Sequence, residues 1–136
     1  MLGICYFTTV WSDRGLLDQD DPARLFSAAT GVQVDGEQLM NVGLQVHNVE
    51  KAFNTLHAGF SRRDDYPPKR FMTEPVKSGP NRGEKLDTES WNMMLDQYYR
   101  IHGWDPETGR QRSECLDKLK LVEVKQRLRQ ENKLSC

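Results

Sequence analysis

The 136-residue sequence is poor in most features that mark a specialised class. Its 19 basic and 20 acidic residues leave a formal net charge of −1, so no global field draws it to nucleic acid or anionic lipid. No run approaches the ~18 apolar residues that a spanning helix needs. Cysteine is scarce: Cys5, Cys115 and Cys136 are odd in number and widely scattered, a poor disulfide framework. The opening MLGICYFTTVWSDRG has neither the basic segment nor the small-residue cleavage site of a secretory signal. These shortages point to a cytoplasmic chain without a nucleic-acid or membrane partner. Also missing are CxxC, HExxH and any paired His/Cys spacing, so the chain alone closes no metal site. Gly79, Gly83 and Gly109 are too dispersed for a phosphate loop.

What is present is helical punctuation. Asp20 and Asp21 offer an N-cap, Pro22 suits a first turn and Gly31 suits the left-handed residue past the end, which predicts a helix over 22–30. Leu39, Val42, Val46, Val49, Phe53, Leu56 and Phe60 then recur at alternating steps of 3 and 4. That places all seven on one face of a long central helix from Asp35, its cap, to Ala58, with Gly59 closing it. This face is expected to be buried, so Val46→Asp is expected to disrupt the fold. Residues 61–86 hold Pro67, Pro68, Pro75 and Pro80 among mixed charges and read as a long irregular connection. Arg62, Arg63, Lys69 and Arg70 lie there beside Asp64 and Asp65, a solvated or ion-paired segment rather than a phosphate patch.

Asp87 can cap a further helix over 88–102, in which Trp91, Met94, Leu95, Tyr98 and His102 share a face. Gly103 sits where a Schellman-type end requires it, followed by Trp104, whose ring can fold back on the last turn. Asp105 to Gly109 reads as a turn, and Leu116, Leu119, Val124 and Leu128 give one or two terminal helices. No segment alternates as a strand. The expected fold class is all-α: one multihelical domain over 1–136, with a long central helix and a long Pro/Gly-rich irregular connection. Within it, 1–19 is mixed, 20–60 helical, 61–86 irregular and 87–136 helical. His47, His57 and His102 lie on predicted helices without a partnering carboxylate or cysteine, so from the residues alone no catalytic group is assigned.

Two stretches carry a resemblance. His47-Asn48-Val49-Glu50-Lys51-Ala52-Phe53-Asn54, then Gly59, Arg62-Arg63-Asp64-Asp65 and Pro68-Lys69-Arg70, resemble blocks of the aldehyde ferredoxin oxidoreductase family. Leu95-Asp96-Gln97-Tyr98-Tyr99, Gly103-Trp104-Asp105 and the leucines at 116, 119 and 121 resemble the same family's later blocks, in the right order. The resemblance gives the opening residues a meaning. Gly3-Ile4-Cys5 is similar to the family's G-L-C element, which implies Cys5 as a ligand of a [4Fe-4S] cluster and Gly3 and Ile4 as neighbours of a tungsten (or molybdenum) bis-pterin. A thiolate is a proper iron ligand, and a glycine lets backbone approach a bulky cofactor.

The resemblance implies the C-terminal portion of a longer enzyme, which oxidises an aldehyde to a carboxylic acid and passes electrons to ferredoxin. Its partners are then the N-terminal remainder of the enzyme, ferredoxin and the aldehyde. The other three cluster cysteines are absent here, so the isolated chain is expected to be inactive and free of cofactor. Lys120 stands where the family ending has glycine, which suggests a continuous terminal helix; Gln45 stands where arginine is common. A tungsten acyl- or aryl-CoA reductase subunit is the nearest variant, and a free-standing helical interaction module the alternative from another class. Leu2, Ile4, Tyr6, Phe7, Val10 and Trp11 make the opening apolar, so a homodimer through this segment is also expected.

Overall fold

A computed structural model describes residues 20–135. Six α-helices follow one another: α1 (Asp20–Thr30), α2 (Gly36–Ala58), α3 (Lys69–Thr73), α4 (Thr88–His102), α5 (Ser113–Lys118) and α6 (Val122–Gln130), with a 3₁₀ turn at Arg62–Asp65. Among the described residues there is no strand, only isolated bridges pairing Trp104 with Gln111 and Arg112 with Ser135. The all-α expectation is met. No helix among the described residues is long and apolar enough to cross a membrane.

The chain divides into two compact units between His47 and Asn48. In the first, α1 begins at Asp20 itself, so Asp20 and Asp21 occupy its first turn instead of capping it from outside. Acidic charge there suits the positive end of the helix dipole, and the Asp21 carboxylate accepts from the Arg24 guanidinium. Gly31 closes the helix at φ +76°, its N–H reaching the Ser27 carbonyl at 2.9 Å. The Ser27 hydroxyl accepts from the Val34 N–H at 3.0 Å and pins the short connection. Asp35 caps α2 as expected. Its carboxylate accepts from the Gln38 N–H at 2.7 Å, while the Gln38 side chain accepts from the Asp35 N–H at 3.0 Å. This reciprocal pair satisfies two otherwise orphaned donors.

The second unit has two apolar clusters. One joins Ala52 to Leu116 and Leu128, with Leu56, Leu121, Val124 and Leu134 packed around them. The other joins Leu95, Tyr99 and Trp104, flanked by Tyr66, Trp91 and Cys115. The buried side of α2 here is Asn48, Lys51, Ala52 and Thr55, all below 9% exposed. Five residues of the apolar stripe are not on that side: Val42 (43%), Val46 (39%), Val49 (45%), Phe53 (60%) and Phe60 (39%) are exposed, while Leu56 packs on the first cluster. The expectation that the stripe forms the core is therefore overturned. Period tells which residues share a face, but the leucines of α5 and α6 supply the apolar bulk, and small residues on α2 let them approach.

Residues 61–86 form the expected irregular connection, broken only by the 3₁₀ turn and the five-residue α3. Pro68 stands at the N-cap of α3, and its fixed φ is compatible with a helix start. Beyond α3, Val76 N–H donates to the Glu84 carbonyl at 2.8 Å across a tip at Gly79–Gly83, and Leu86 N–H returns to the Phe71 carbonyl at 2.9 Å. The terminal helix expected from Lys120 is not continuous. Lys120 adopts φ +58° between α5 and α6, and Leu121 N–H bonds back to the Leu116 carbonyl at 2.9 Å. Burial of Leu116, Leu119 and Leu128 holds the break although the residue there is not glycine.

Candidate functional site

Asn48 and Lys51 on α2, Arg62, Asp65 and Tyr66 at the 3₁₀ turn, Asn92, Asp96 and Tyr99 on α4, and Trp104 after it meet in the second unit. Each element presents its residue through a local device. Asp87 caps α4 by accepting from Ser90 N–H at 2.8 Å, and Gly103 ends it at φ +69°. Trp104 N–H then bonds the Tyr99 carbonyl at 2.8 Å. That Schellman-type reversal folds the Trp104 ring back to 5.2 Å from His102 and 5.8 Å from Tyr98, centroid to centroid. Asp105 organises the next turn, accepting from Thr108 N–H at 3.2 Å and from the Thr108 hydroxyl.

The Thr108 carbonyl takes the Arg62 N–H at 2.8 Å, docking the 3₁₀ turn. Gly109 follows at φ +68°, where a Cβ would lie 3.0 Å from both Arg62 N and the Tyr99 hydroxyl. Only glycine satisfies both demands.

The charged groups are fully engaged. Arg62 Nη1 donates to Asp96 Oδ1 and to the Pro106 carbonyl, each at 2.6 Å, and Nη2 donates to the Asn92 carbonyl at 3.2 Å and to Asn92 Oδ1 at 3.1 Å. The Tyr66 hydroxyl donates to the same Asn92 oxygen. Burial works against the Arg62 charge, yet hydrogen bonds to Tyr66 and Asp96 outweigh it and raise its pKa. Lys51, 8% exposed, places Nζ 3.5 Å from Asp65 Oδ2 and 4.9 Å from the centroid of the Trp104 ring. A cation over an aromatic face in a desolvated site is attracted by the ring quadrupole.

Tyr99, fully buried, donates to the same Asp65 carboxylate. Burial first, and the Asp65 carboxylate second, push its pKa far above the ordinary value, so the hydroxyl is held as a donor. Beneath them Trp104 Nε1 donates to Asn48 Oδ1 at 3.0 Å, and Gln111 Nε2 donates to that oxygen at 2.6 Å.

This arrangement fastens segments together. Asp65 Oδ2 accepts from Lys51 and Tyr99, and Arg62 is shared among four acceptors. No cluster of three or more metal-ligating side chains exists among the described residues. Cys115 lies beneath the reversal, its thiol donating to the His102 carbonyl at 3.1 Å. Burial raises its pKa, despite Lys118 nearby, so it stays a thiol. Gly3, Ile4 and Cys5 lie outside the described residues.

Residue-level reasoning did not single out this network. The available signal was its position: Asn48 and Lys51 fall on α2 opposite the apolar stripe, and Arg62, Asp65, Asp96, Tyr99 and Trp104 are the polar and aromatic members of the blocks that carry the resemblance.

A family model described as aldehyde ferredoxin oxidoreductase, domains 2 and 3, matches residues 1–121. A tungsten-containing aldehyde ferredoxin oxidoreductase of Pyrococcus furiosus is 38% identical over 122 residues, 89% of this chain and 18% of that protein. From the same organism, the WOR-like subunit of an aliphatic sulfonate oxidoreductase is 31% identical over 108 residues, 76% of this chain and 17% of that one. Among solved structures, the active-site complex BamBC of benzoyl coenzyme A reductase, in complex with 1,5-dienoyl-CoA, is similar with a TM-score of 0.69 and 25% identity. It covers 88% of this chain and 16% of that one. The chain thus spans under a fifth of the length of these relatives. On the family match and the shared identity together, it belongs to the aldehyde ferredoxin oxidoreductase family.

Proposed function

We propose that the chain is the C-terminal helical portion of a tungsten-dependent aldehyde:ferredoxin oxidoreductase. The observation that carries the reading is convergence: residues from four separate family-like blocks, at positions 48–54, 62–65, 95–99 and 103–105, meet in one polar network. Blocks scattered along a chain that close on one another in space have a common packing role, which chance similarity does not supply.

In this reading the intact enzyme oxidises an aldehyde to a carboxylic acid at a tungsten pterin, and electrons leave through a [4Fe-4S] cluster to ferredoxin. Cys5 is one of the four cluster ligands, Gly3 and Ile4 border the pterin, and the other three cysteines come from the N-terminal remainder. No step of the oxidation is assigned to the described residues; in this reading they build a helical wall of the larger enzyme. A cytoplasmic setting goes with this chemistry.

The test extends the coding frame upstream of Met1, expresses the product anaerobically and measures tungsten, iron and aldehyde-dependent reduction of ferredoxin. Bound tungsten and turnover with aldehydes are expected from the extended product, and neither from the 136-residue chain. An upstream stop codon, with a native 136-residue product carrying no metal, overturns the reading in favour of a helical interaction module. The likeness to benzoyl coenzyme A reductase favours a second reading, a tungsten subunit that reduces an aryl-CoA. An extended product that ignores aldehydes and turns over benzoyl-CoA selects it.

A further inference from the structure

Helix α2 is amphipathic the wrong way round for a helix at the edge of a small domain. Its polar residues Asn48, Lys51 and Thr55 are buried, while Val49 and Phe53 are 45% and 60% exposed. A shallow groove lies between them, lined by Val49, Glu50, Phe53 and Asn54. Phe60 continues the exposed line past Gly59. Isolated apolar residues on a surface need no explanation, but a periodic line of large ones marks an interface. A surface helix ordinarily turns such a stripe inward. Both faces of α2 make sense when the helix lies between two bodies, its polar face tied into the second unit and its apolar face against something else.

We infer that the Val49–Phe53 face of α2 is the seam along which this chain packs on the remainder of the larger oxidoreductase. The occupant is argued from length: the chain spans 18% of the Pyrococcus furiosus relative, so most of that protein lies outside the matched segment and is available to cover the face. The inference rests on the reading that the chain is a portion of such an enzyme, and it adds which surface joins the two parts.

The test uses the full 136-residue chain and a chimera of the Pyrococcus furiosus relative in which this chain replaces the matched segment. Val49→Asp and Phe53→Asp are introduced singly into both, and thermal melting and limited proteolysis are followed. The expected result is a shift within about 1 °C in the isolated chain, against a fall of about 5 °C or more and early cleavage in the chimera. Variants neutral in both place the seam elsewhere and overturn the inference, while a folded wild-type chimera leaves the reading of the chain intact.

Variants that unfold the isolated chain show that the face belongs to its own core, which also overturns the inference. A dimer of the isolated chain that either variant splits makes a second copy the occupant, and the inference is overturned in that case too. A wild-type chimera that fails to fold removes the reading of the chain, and the seam falls with it.

Discussion

Lys51 is buried on the same carboxylate that Tyr99 holds, and its ammonium caps the Trp104 ring. Replacing it with Met keeps the stem and removes the charge, leaving Asp65 without its cation. The loss is about 2 kcal/mol, between the cost of one unsatisfied charged hydrogen bond and that of a broken buried pair. Urea denaturation with unchanged slope is the measurement. At Gly109 the obstacle is backbone and space together. Gly109→Ala forces a side chain into a positive φ and to 3.0 Å from Arg62 N and the Tyr99 hydroxyl, so a loss of about 2 kcal/mol or more is expected. Lys120 is the converse, a non-glycine residue already at φ +58°. Lys120→Gly removes that strain and gains up to about 1 kcal/mol, read as a rise in melting temperature.

At the scale of elements, the reversed face of α2 changes the outcome expected for Val46. At 39% exposure its replacement by Asp moves stability by no more than about 0.5 kcal/mol, as for ordinary surface substitutions. A collapse of the thermal transition in that variant refutes the assignment of faces.

What was legible in the sequence follows the range of each interaction. The Asp35 and Asp87 caps and the Gly31, Gly59 and Gly103 ends are settled within four residues of chain, so residue type reveals them. The side on which α2 is buried is decided by Leu116 and Leu128, more than sixty residues away, and no local pattern records that. The break at Lys120 was hidden for the same reason, since distant burial overrides a local preference against positive φ. Blocks that resemble a family pointed to Asn48, Arg62, Asp96 and Trp104 without saying that they touch. Gly3, Ile4 and Cys5 rest on the resemblance alone.

For the whole molecule, the ionisable groups define a window of stability. Asp105 is depressed: burial alone raises a carboxyl pKa, but hydrogen bonds from Thr108 and the Glu107 and Thr108 amides outweigh it. Asp64 and Asp87 are depressed chiefly by the amides of Ser61 and Ser90. Their stabilisation is complete above the ordinary aspartate range near pH 4 and is lost as pH falls through the lower folded values. Tyr99 and Tyr98 are raised, chiefly by burial. Their contribution is complete below about pH 10 and is lost as pH rises beyond it, where the unfolded phenols ionise first. Melting temperatures taken from pH 3 to 11 are expected to show a broad plateau with both flanks falling, the alkaline flank shallower in Tyr99→Phe.

The closed turn at 76–84 offers a handle. Val76 and Glu84 clamp its two ends, residues 77–83 are exposed, and Gly79 and Gly83 supply the bends. A guest peptide spliced between Pro80 and Asn81 enters where the chain ends are already held together, and a longer loop costs little extra closure entropy. An epitope or fluorophore acceptor can be installed there for purification or distance measurements.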